Sequence, residues 1–293
     1  MAYQHTHNHF FAASDYCRIF WQKWIPEGPV RAVFIFQHGL GEHSRRYQNL
    51  LNAMQDSSVA LYAMDARGHG RSEGIRGHVD PFGQYADDLH QLVQLAKEEQ
   101  QVQKVFLLGH SLGAVIAADY ALRHQEELLG LILSSSGVLP YVSGYYALVK
   151  KISGVMAKFF PDLSLGSYLK LKYISHDNEV VTQYKSDPLT HGKATPSLGN
   201  ALFHIHEKHF AEAPGLSVPL LVFHGTGDLI TDPEGSKRFY QLAGSQDKSL
   251  KLYEGLYHET MNEIPVCREE VLKDVRNWVE EHLESQPMKT QVS

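Results

Sequence analysis

Three residues far apart in the chain, Ser111, Asp228 and His258, have the types and surroundings that nucleophilic acyl transfer needs. A serine hydroxyl attacks a carbonyl only when a base takes its proton, and the base works only when an acid orients it. Ser111 lies in Val105-Phe106-Leu107-Leu108-Gly109-His110-Ser111-Leu112-Gly113-Ala114, where an apolar run stops at Gly-x-Ser-x-Gly and a helical pattern begins at once. That context predicts a nucleophile elbow: a strand, a tight turn with serine at its tip, then a helix. The turn leaves no room for side chains two residues either side, which is the use of Gly109 and Gly113. The helix start also favours negative charge near the hydroxyl. Gly-x-Ser-x-Gly also occurs by chance as a plain strand-to-helix turn. What separates the two readings is an acid and a histidine that follow, each just after its own strand.

Asp228 ends His224-Gly225-Thr226-Gly227-Asp228, a short loop after the apolar run 220–223. It therefore stands where the acid belongs in the chain order serine, acid, histidine. Two other aspartates compete. Asp65 precedes the elbow and sits in a glycine-rich loop, so it reads as a turn-former; Asp232 precedes Pro233 and reads as a helix N-cap. His258 follows the last strand, 249–253, and the one later histidine, His282, lies inside a final helix striped by Val271, Leu272, Val275, Val279 and Leu283. His38, His110, His204, His206 and His209 read as structural, because none follows a late strand. The buried strand 30–36 ends in Gln37-His38-Gly39-Leu40-Gly41-Glu42-His43. A dinucleotide fingerprint fails there, since its third glycine would fall at Ser44. The stretch reads instead as an oxyanion loop, with the backbone N–H of Leu40 as one donor and that of Leu112 as the other. Such donors contribute roughly 3–4 kcal/mol each to the transition state.

To bring these residues together, the chain must be wound so that strands end side by side. Strands at 30–36, 58–64, 105–108 and 129–133 alternate with helical patterns at 45–55, 82–100 and 114–124, which predicts a parallel sheet with helices on both faces. Two short strands, 9–12 and 17–24, precede them around a turn at Ser14-Asp15. The alternation breaks at 137 and resumes at Pro219. The expected organisation is a first part of the core over 1–136, a helical cap over 137–213, and a second part of the core over 214–293. In the cap, Tyr145, Tyr146, Leu148, Val149, Ile152, Val155, Met156, Phe159 and Phe160 recur at helical spacing with Lys150, Lys151 and Lys158 among them. Such a face either packs on the core or meets lipid, with the lysines toward headgroups.

The bulk properties narrow the class. With 33 acidic against 27 basic residues and no basic patch, nucleic acid is not an expected partner. Cys17 and Cys267 are too few for a disulfide framework and read as free buried thiols of a reducing compartment. No signal-peptide pattern opens the sequence and no apolar run approaches the ~18 residues of a membrane span, so a cytoplasmic protein is expected, one that can associate with a membrane through its cap. His5, His7 and His9 alternate as if on one strand face, and without an acidic or cysteine partner they read as an exposed edge, not a metal site. His206-Glu207-Lys208-His209 is not His-Glu-x-x-His, and neither metal nor cofactor is expected.

These stretches, taken together, resemble the α/β-hydrolase superfamily, and within it the monoacylglycerol lipases and related lysophospholipase-like serine hydrolases. The resemblance is carried by Gln37 to His43 with Arg46-Tyr47, by the Gly-His-Gly-x-Ser-Glu-Gly within 65–74, by the elbow, by Tyr184-Lys185-Ser186-Asp187-Pro188-Leu189, by Gly227-Asp228 with Asp232, and by 245–248 and 253–258. It implies an α/β-hydrolase fold, a Ser111–Asp228–His258 triad, oxyanion donors at Leu40 and Leu112, and Arg46 and Tyr184 near the glycerol end of a substrate. The activity it implies is hydrolysis of lipid carboxylic esters, foremost monoacylglycerols, through an acyl-enzyme. A lysophospholipase or broad carboxylesterase is the alternative. A proline-aminopeptidase-like enzyme would carry His-Gly-Gly-Pro-Gly where this chain has His38-Gly39-Leu40-Gly41-Glu42, and a non-catalytic lipid-binding module would not need an intact triad. A free catalytic histidine predicts activity rising through an apparent pKa of roughly 6–7.

Overall fold

The computed structural model describes residues 3–137, 146–167 and 169–284. An antiparallel hairpin, β1 (Tyr3–Ala12) and β2 (Arg18–Pro26), leads into β3 (Ala32–Gln37), α1 (Gln48–Ala53), β4 (Val59–Met64), α2 (Gly83–Gln100), β5 (Val105–His110), α3 (Leu112–His124) and β6 (Leu128–Ser134). An insertion then carries α4 (Tyr146–Phe159), β7 (Leu165–Gly166), α5 (Asn178–Ser186), β8 (Lys193–Ala194) and α6 (Pro196–Glu212). β9 (Leu220–Gly225), α7 (Pro233–Leu242), β10 (Lys248–Tyr253) and α8 (Pro265–Glu284) complete the chain.

Eight strands form one sheet in the order β1-β2-β4-β3-β5-β6-β9-β10. The six from β4 to β10 run parallel, and β2 joins β4 antiparallel. The central strands are buried on both faces, which is why they read as unbroken apolar runs. Successive side chains still go to opposite layers. Val33, Ile35, Val105 and Leu107 join a core with α2, α3, α6 and α7, while Phe34, Phe36, Phe106 and Leu108 join one with α1 and α8. Gly130 is a place where a side chain is excluded by packing: a Cβ there would lie 2.3 Å from the Trp278 ring of α8.

Strand order reverses between β3 and β5. In such sheets ligands bind outside the carboxyl ends of the strands at the switch point. β3 and β5 are neighbours with Gln37 opposite Gly109, so the loop after β3 and the turn after β5 share that position. Onward, His110 pairs with Ser134, Ser134 with Phe223, and Gly225 with Tyr253, so the loops after β9 and β10 open on the same edge.

Several local features differ from the sequence reading. The expected helix at 45–55 is a 3-10 turn, Ser44–Arg46, followed by α1, with the break at Tyr47, whose backbone (φ −101°, ψ 27°) is not helical. A bulge between Thr6 and His9, with Asn8 at φ 67°, shifts the register of β1. One inserted residue flips the faces beyond it. His5 accordingly stacks on Trp24, which belongs to one core layer, and His9 on Trp21, which belongs to the other. Cys17 and Cys267 are free but half-buried, not sequestered. Between β6 and β9 the two short strands β7 and β8 pair, among the described residues, only with each other, outside the main sheet. Tyr145 and the side chains of Tyr146, Leu148 and Val149 lie outside the described residues. No helix among the described residues is long and apolar enough to cross a membrane.

Candidate active site

Ser111 has φ 54° and ψ −119°, a strained conformation that holds its hydroxyl at the start of α3. The turn closes because two glycines let backbones touch. A Cβ on Gly109 would lie 2.2 Å from the Gly113 carbonyl oxygen, and one on Gly113 would lie 2.2 Å from that of Gln37. The Ser111 N–H donates to the Ser134 carbonyl at 2.9 Å, which ties the turn to β6.

His258, on the loop after β10, accepts from the Ser111 hydroxyl through Nε2 at 2.9 Å and donates through Nδ1 to Asp228 Oδ2 at 2.6 Å. Asp228 follows β9. Its Oδ1 accepts the backbone N–H groups of Ile230 (2.7 Å) and Thr231 (3.1 Å), which leaves Oδ2 facing the imidazole. Both Asp228 and His258 are buried. Burial alone would push the Asp228 carboxyl up. The charge and hydrogen bonds of His258 and His224 outweigh it and hold the group well below the usual carboxylate range. Burial likewise opposes a charged His258, and the Asp228 carboxylate outweighs it, so the imidazole is more basic than an ordinary histidine.

Sequence reasoning missed His224. Its Nε2 donates to the same Asp228 Oδ2 at 2.9 Å, and its Nδ1 accepts from the Ser236 hydroxyl of α7 at 2.7 Å. The available signal was its position four residues before Asp228, at the end of the same strand. Thr231 adds a third donor to Oδ2 at 2.9 Å. His110, read as structural, packs its ring 4.9 Å from that of His258, and burial and the neighbouring His258 pull its pKa down to about 4. It is therefore neutral at physiological pH.

The loop after β3 faces the elbow. A Cβ on Gly39 would lie 3.0 Å from Ser111 Cβ. The Gly39 carbonyl accepts from His38 Nδ1 at 2.8 Å, while His38 Nε2 accepts from the Ala66 N–H at 2.9 Å, which fixes the tautomer. In a trans peptide the N–H points opposite to the carbonyl, so the Leu40 N–H is turned away from His38. Neither the Leu40 nor the Leu112 amide donates a hydrogen bond among the described residues. Of the rival aspartates, Asp65 accepts from the backbone N–H groups of Ser44 (2.8 Å) and Arg71 (2.9 Å) and shapes that loop. Asp232 is the N-cap of α7, accepting from the Glu234 N–H.

A cavity of about 20 Å³ lies over Ser111 and His258. Leu169, Leu171 and Ile174 make its apolar side and Glu42, Tyr184 and Glu259 its polar end. Arg46 stands one layer behind. Its guanidinium binds Glu42 (2.8 Å) and both oxygens of Glu259 (2.8 and 2.9 Å) and lies 4.6 Å from the centre of the Tyr184 ring. Burial opposes ionised Glu42, yet Arg46, the neighbouring His110 and His38 and the Gly39 N–H together outweigh it and pull the carboxyl down to about 2. A separate open cleft of about 900 Å³ on the far side of Arg46 is lined by Arg45, Arg71 and Arg268 against Asp177, Glu179 and Asp187; Ser111 does not reach it. Among the described residues no group of three or more His, Cys, Asp or Glu side chains is arranged to hold a metal ion.

The family described as "Serine aminopeptidase, S33" matches residues 28–265. The chain belongs to this α/β-hydrolase family. Among the hydrolases it resembles, the monoacylglycerol lipase of Mycolicibacterium smegmatis is 33% identical over 276 residues, covering 94% of this chain and 97% of that one. Human monoglyceride lipase is 33% identical over 262 residues, covering 89% and 86%. The crystal structure of Paleococcus ferrophilus monoacylglycerol lipase superposes with a TM-score of 0.81 at 31% identity, over 90% of this chain and 99% of that one.

Proposed function

We propose that this α/β-hydrolase cleaves monoacylglycerols to fatty acid and glycerol, with Ser111 as nucleophile, His258 as general base and acid, and Asp228 as its orienting partner. One observation carries the reading: an unbroken run of hydrogen bonds from the Ser111 hydroxyl through His258 to Asp228, in a chain a third identical to lipases of that name. His258 takes the Ser111 proton as the hydroxyl attacks the ester carbonyl. The N–H groups of Leu40 and Leu112 receive the oxyanion. His258 then gives the proton to the departing glycerol oxygen, and water, activated the same way, releases the fatty acid. The acyl chain runs along Leu169, Leu171 and Ile174 and the glycerol lies toward Glu42 and Glu259, and the cavity of about 20 Å³, room for about one water, has to open to admit them. Arg46 serves that end indirectly, by holding the two carboxylates as acceptors for hydroxyl groups.

The family description speaks of aminopeptidases, and an aminopeptidase needs a carboxylate free to receive the substrate's ammonium group. Both carboxylates at the polar end are bound to Arg46, which favours a neutral head group. Ser111→Ala is expected to lower monoacylglycerol hydrolysis by about three orders of magnitude or more without changing the melting temperature. A variant that keeps most of its activity would overturn the triad. Wild-type rates on a glyceryl ester, a lysophospholipid and an aminoacyl arylamide decide the head group.

The insertion over 137–213 acts as a cap in this reading. α6 anchors it, since Leu198, Ile205 and Phe210 enter the core shared with α2 and α3. Its outer surface is apolar: Ile152, Val155, Phe159, Phe160, Leu163 and Leu165 are all exposed, Phe159 by 65%. Exposed apolar side chains of this number, with Lys151 and Lys158 among them, suit the surface of a lipid bilayer, where the substrate resides. Ser111→Ala protein should sediment with phospholipid vesicles, and Phe159→Asp in that background should stay in the supernatant.

A further inference from the structure

The loop that carries the Leu40 N–H is held from both ends. At one end the Gly39 N–H donates to Glu42 Oε1 at 2.7 Å and the Gly39 carbonyl accepts from His38. Those are contacts of the core with itself. At the other end the Gly41 carbonyl accepts two hydrogen bonds, and both come from the insertion: the Tyr184 hydroxyl of α5 at 3.0 Å and the backbone N–H of His191 at 2.8 Å. The insertion lies flush against this glycine. Gly41 has φ +74°, and a Cβ there would meet the His191 carbonyl oxygen at 2.2 Å and the Tyr184 hydroxyl at 2.8 Å. Tyr184 itself is fixed. Its ring is buried beneath the Arg46 guanidinium, and burial together with the nearby Glu42 charge raises its pKa, so it remains a donor at any working pH.

We infer that Tyr184 is a positioning residue for acyl transfer: through the Gly41 carbonyl it holds the oxyanion loop in the conformation that aims the Leu40 N–H at the tetrahedral intermediate. This rests on the triad and oxyanion reading above and extends it, because it makes the insertion part of the catalytic geometry and not only a wall of the pocket. Donors aimed in advance at a developing charge need no reorganisation during reaction, and a loop that loses an anchor must be re-aimed at each turnover. The insertion grips the base in the same way, with the carbonyls of Tyr173 and Ile174 accepting from the N–H groups of His258 (3.3 Å) and Glu259 (2.7 Å).

Tyr184→Phe in the full chain tests the idea, because it deletes one hydroxyl and keeps the buried ring. Three readouts are needed: kinetics with a 1-monoacylglycerol, kinetics with p-nitrophenyl butyrate, which has no glycerol, and the Ki of an alkyl trifluoromethyl ketone, which forms a tetrahedral adduct with its oxyanion in the same hole. Rates are normalised to sites titrated with a fluorophosphonate, so partial unfolding does not count as lost chemistry. Expected are a fall in kcat of about tenfold with both esters, KM within about twofold, and a ketone Ki weakened by the same factor as kcat. If KM for the monoacylglycerol rises while the aryl ester and the ketone are unaffected, Tyr184 binds glycerol and the inference is wrong. It is equally wrong if all three readouts match wild type. Full activity of Ser111→Ala would instead sink the underlying triad, a separate failure.

Discussion

His258 sits among groups that pull its proton affinity in opposite directions. Burial disfavours the imidazolium, while Asp228 in direct contact, and Glu259 and Glu42 nearby, favour it. The carboxylates win, so its pKa lies above the ordinary histidine value of 6.5. The sign for activity follows from the proposed mechanism, in which only neutral His258 takes the Ser111 proton, so a raised pKa moves the acid limb of the rate profile upward. The sequence alone predicts a rise through roughly 6–7; the structure shifts the expectation upward, above the ordinary 6.5. A kcat/KM profile whose acid limb is centred below 6.5 would contradict this. His110 and His224 cannot mimic such a limb, because burial lowers both and each is already neutral where His258 titrates.

At the level of elements, two aspartates four residues apart divide the labour of the β9–α7 connection. Asp228 turns its carboxylate to the imidazole, and Asp232 turns its own to the Glu234 N–H in the first turn of α7. Asp232→Ala is therefore expected to remove about 1 kcal/mol of helix capping, a drop of roughly 2–4 °C in melting temperature, with kcat within about twofold of wild type. Activity loss comparable to that of Asp228→Ala would reverse the two roles. That division was legible in the sequence because it is local: an Asp-Pro pair is a helix start, and an aspartate on a post-strand glycine loop is not. The elbow was legible for the same reason, since strand, tight turn and helix occupy ten consecutive residues. His224 was not, because its part depends on the strand's end folding back onto the loop that follows it. Nor was the grip of Tyr184 on Gly41, which joins residues 143 positions apart and depends on how the insertion settles over the sheet. The bulge in β1 was hidden because an alternating pattern shows the period of a strand and not the one residue that interrupts it.

For the molecule as a whole, the 18 histidines have a consequence that composition alone does not reveal. His38, His69, His110, His191, His209 and His224 are all held below the ordinary histidine value, in each case first by burial, with His110 and His191 brought to about 4. In the unfolded chain each would take a proton near pH 6.5, and in the folded chain it does not. Unfolding therefore binds protons across this interval, and stability is present above 6.5 and lost as pH falls toward 4. Glu42 extends the loss, since its folded pKa of about 2 lies below the ordinary 4.5. His258, with its raised pKa, works the other way, losing stability as pH rises, but it stands against these six and against His5, His90 and His206, which burial also lowers. Melting temperature should thus fall continuously from pH 7 to pH 4, beginning before any ordinary carboxylate titrates. Three of the six, His38, His69 and His191, form a row of mutually tilted rings between the core and the insertion, with ring centres 5.4 and 4.9 Å apart. Replacing His69 with Gln, which cannot take up a proton in this range, should flatten the decline between pH 6.5 and 5. A melting temperature already constant over that range in the wild type would show that the buried imidazoles are charged in the fold, contrary to the packing described.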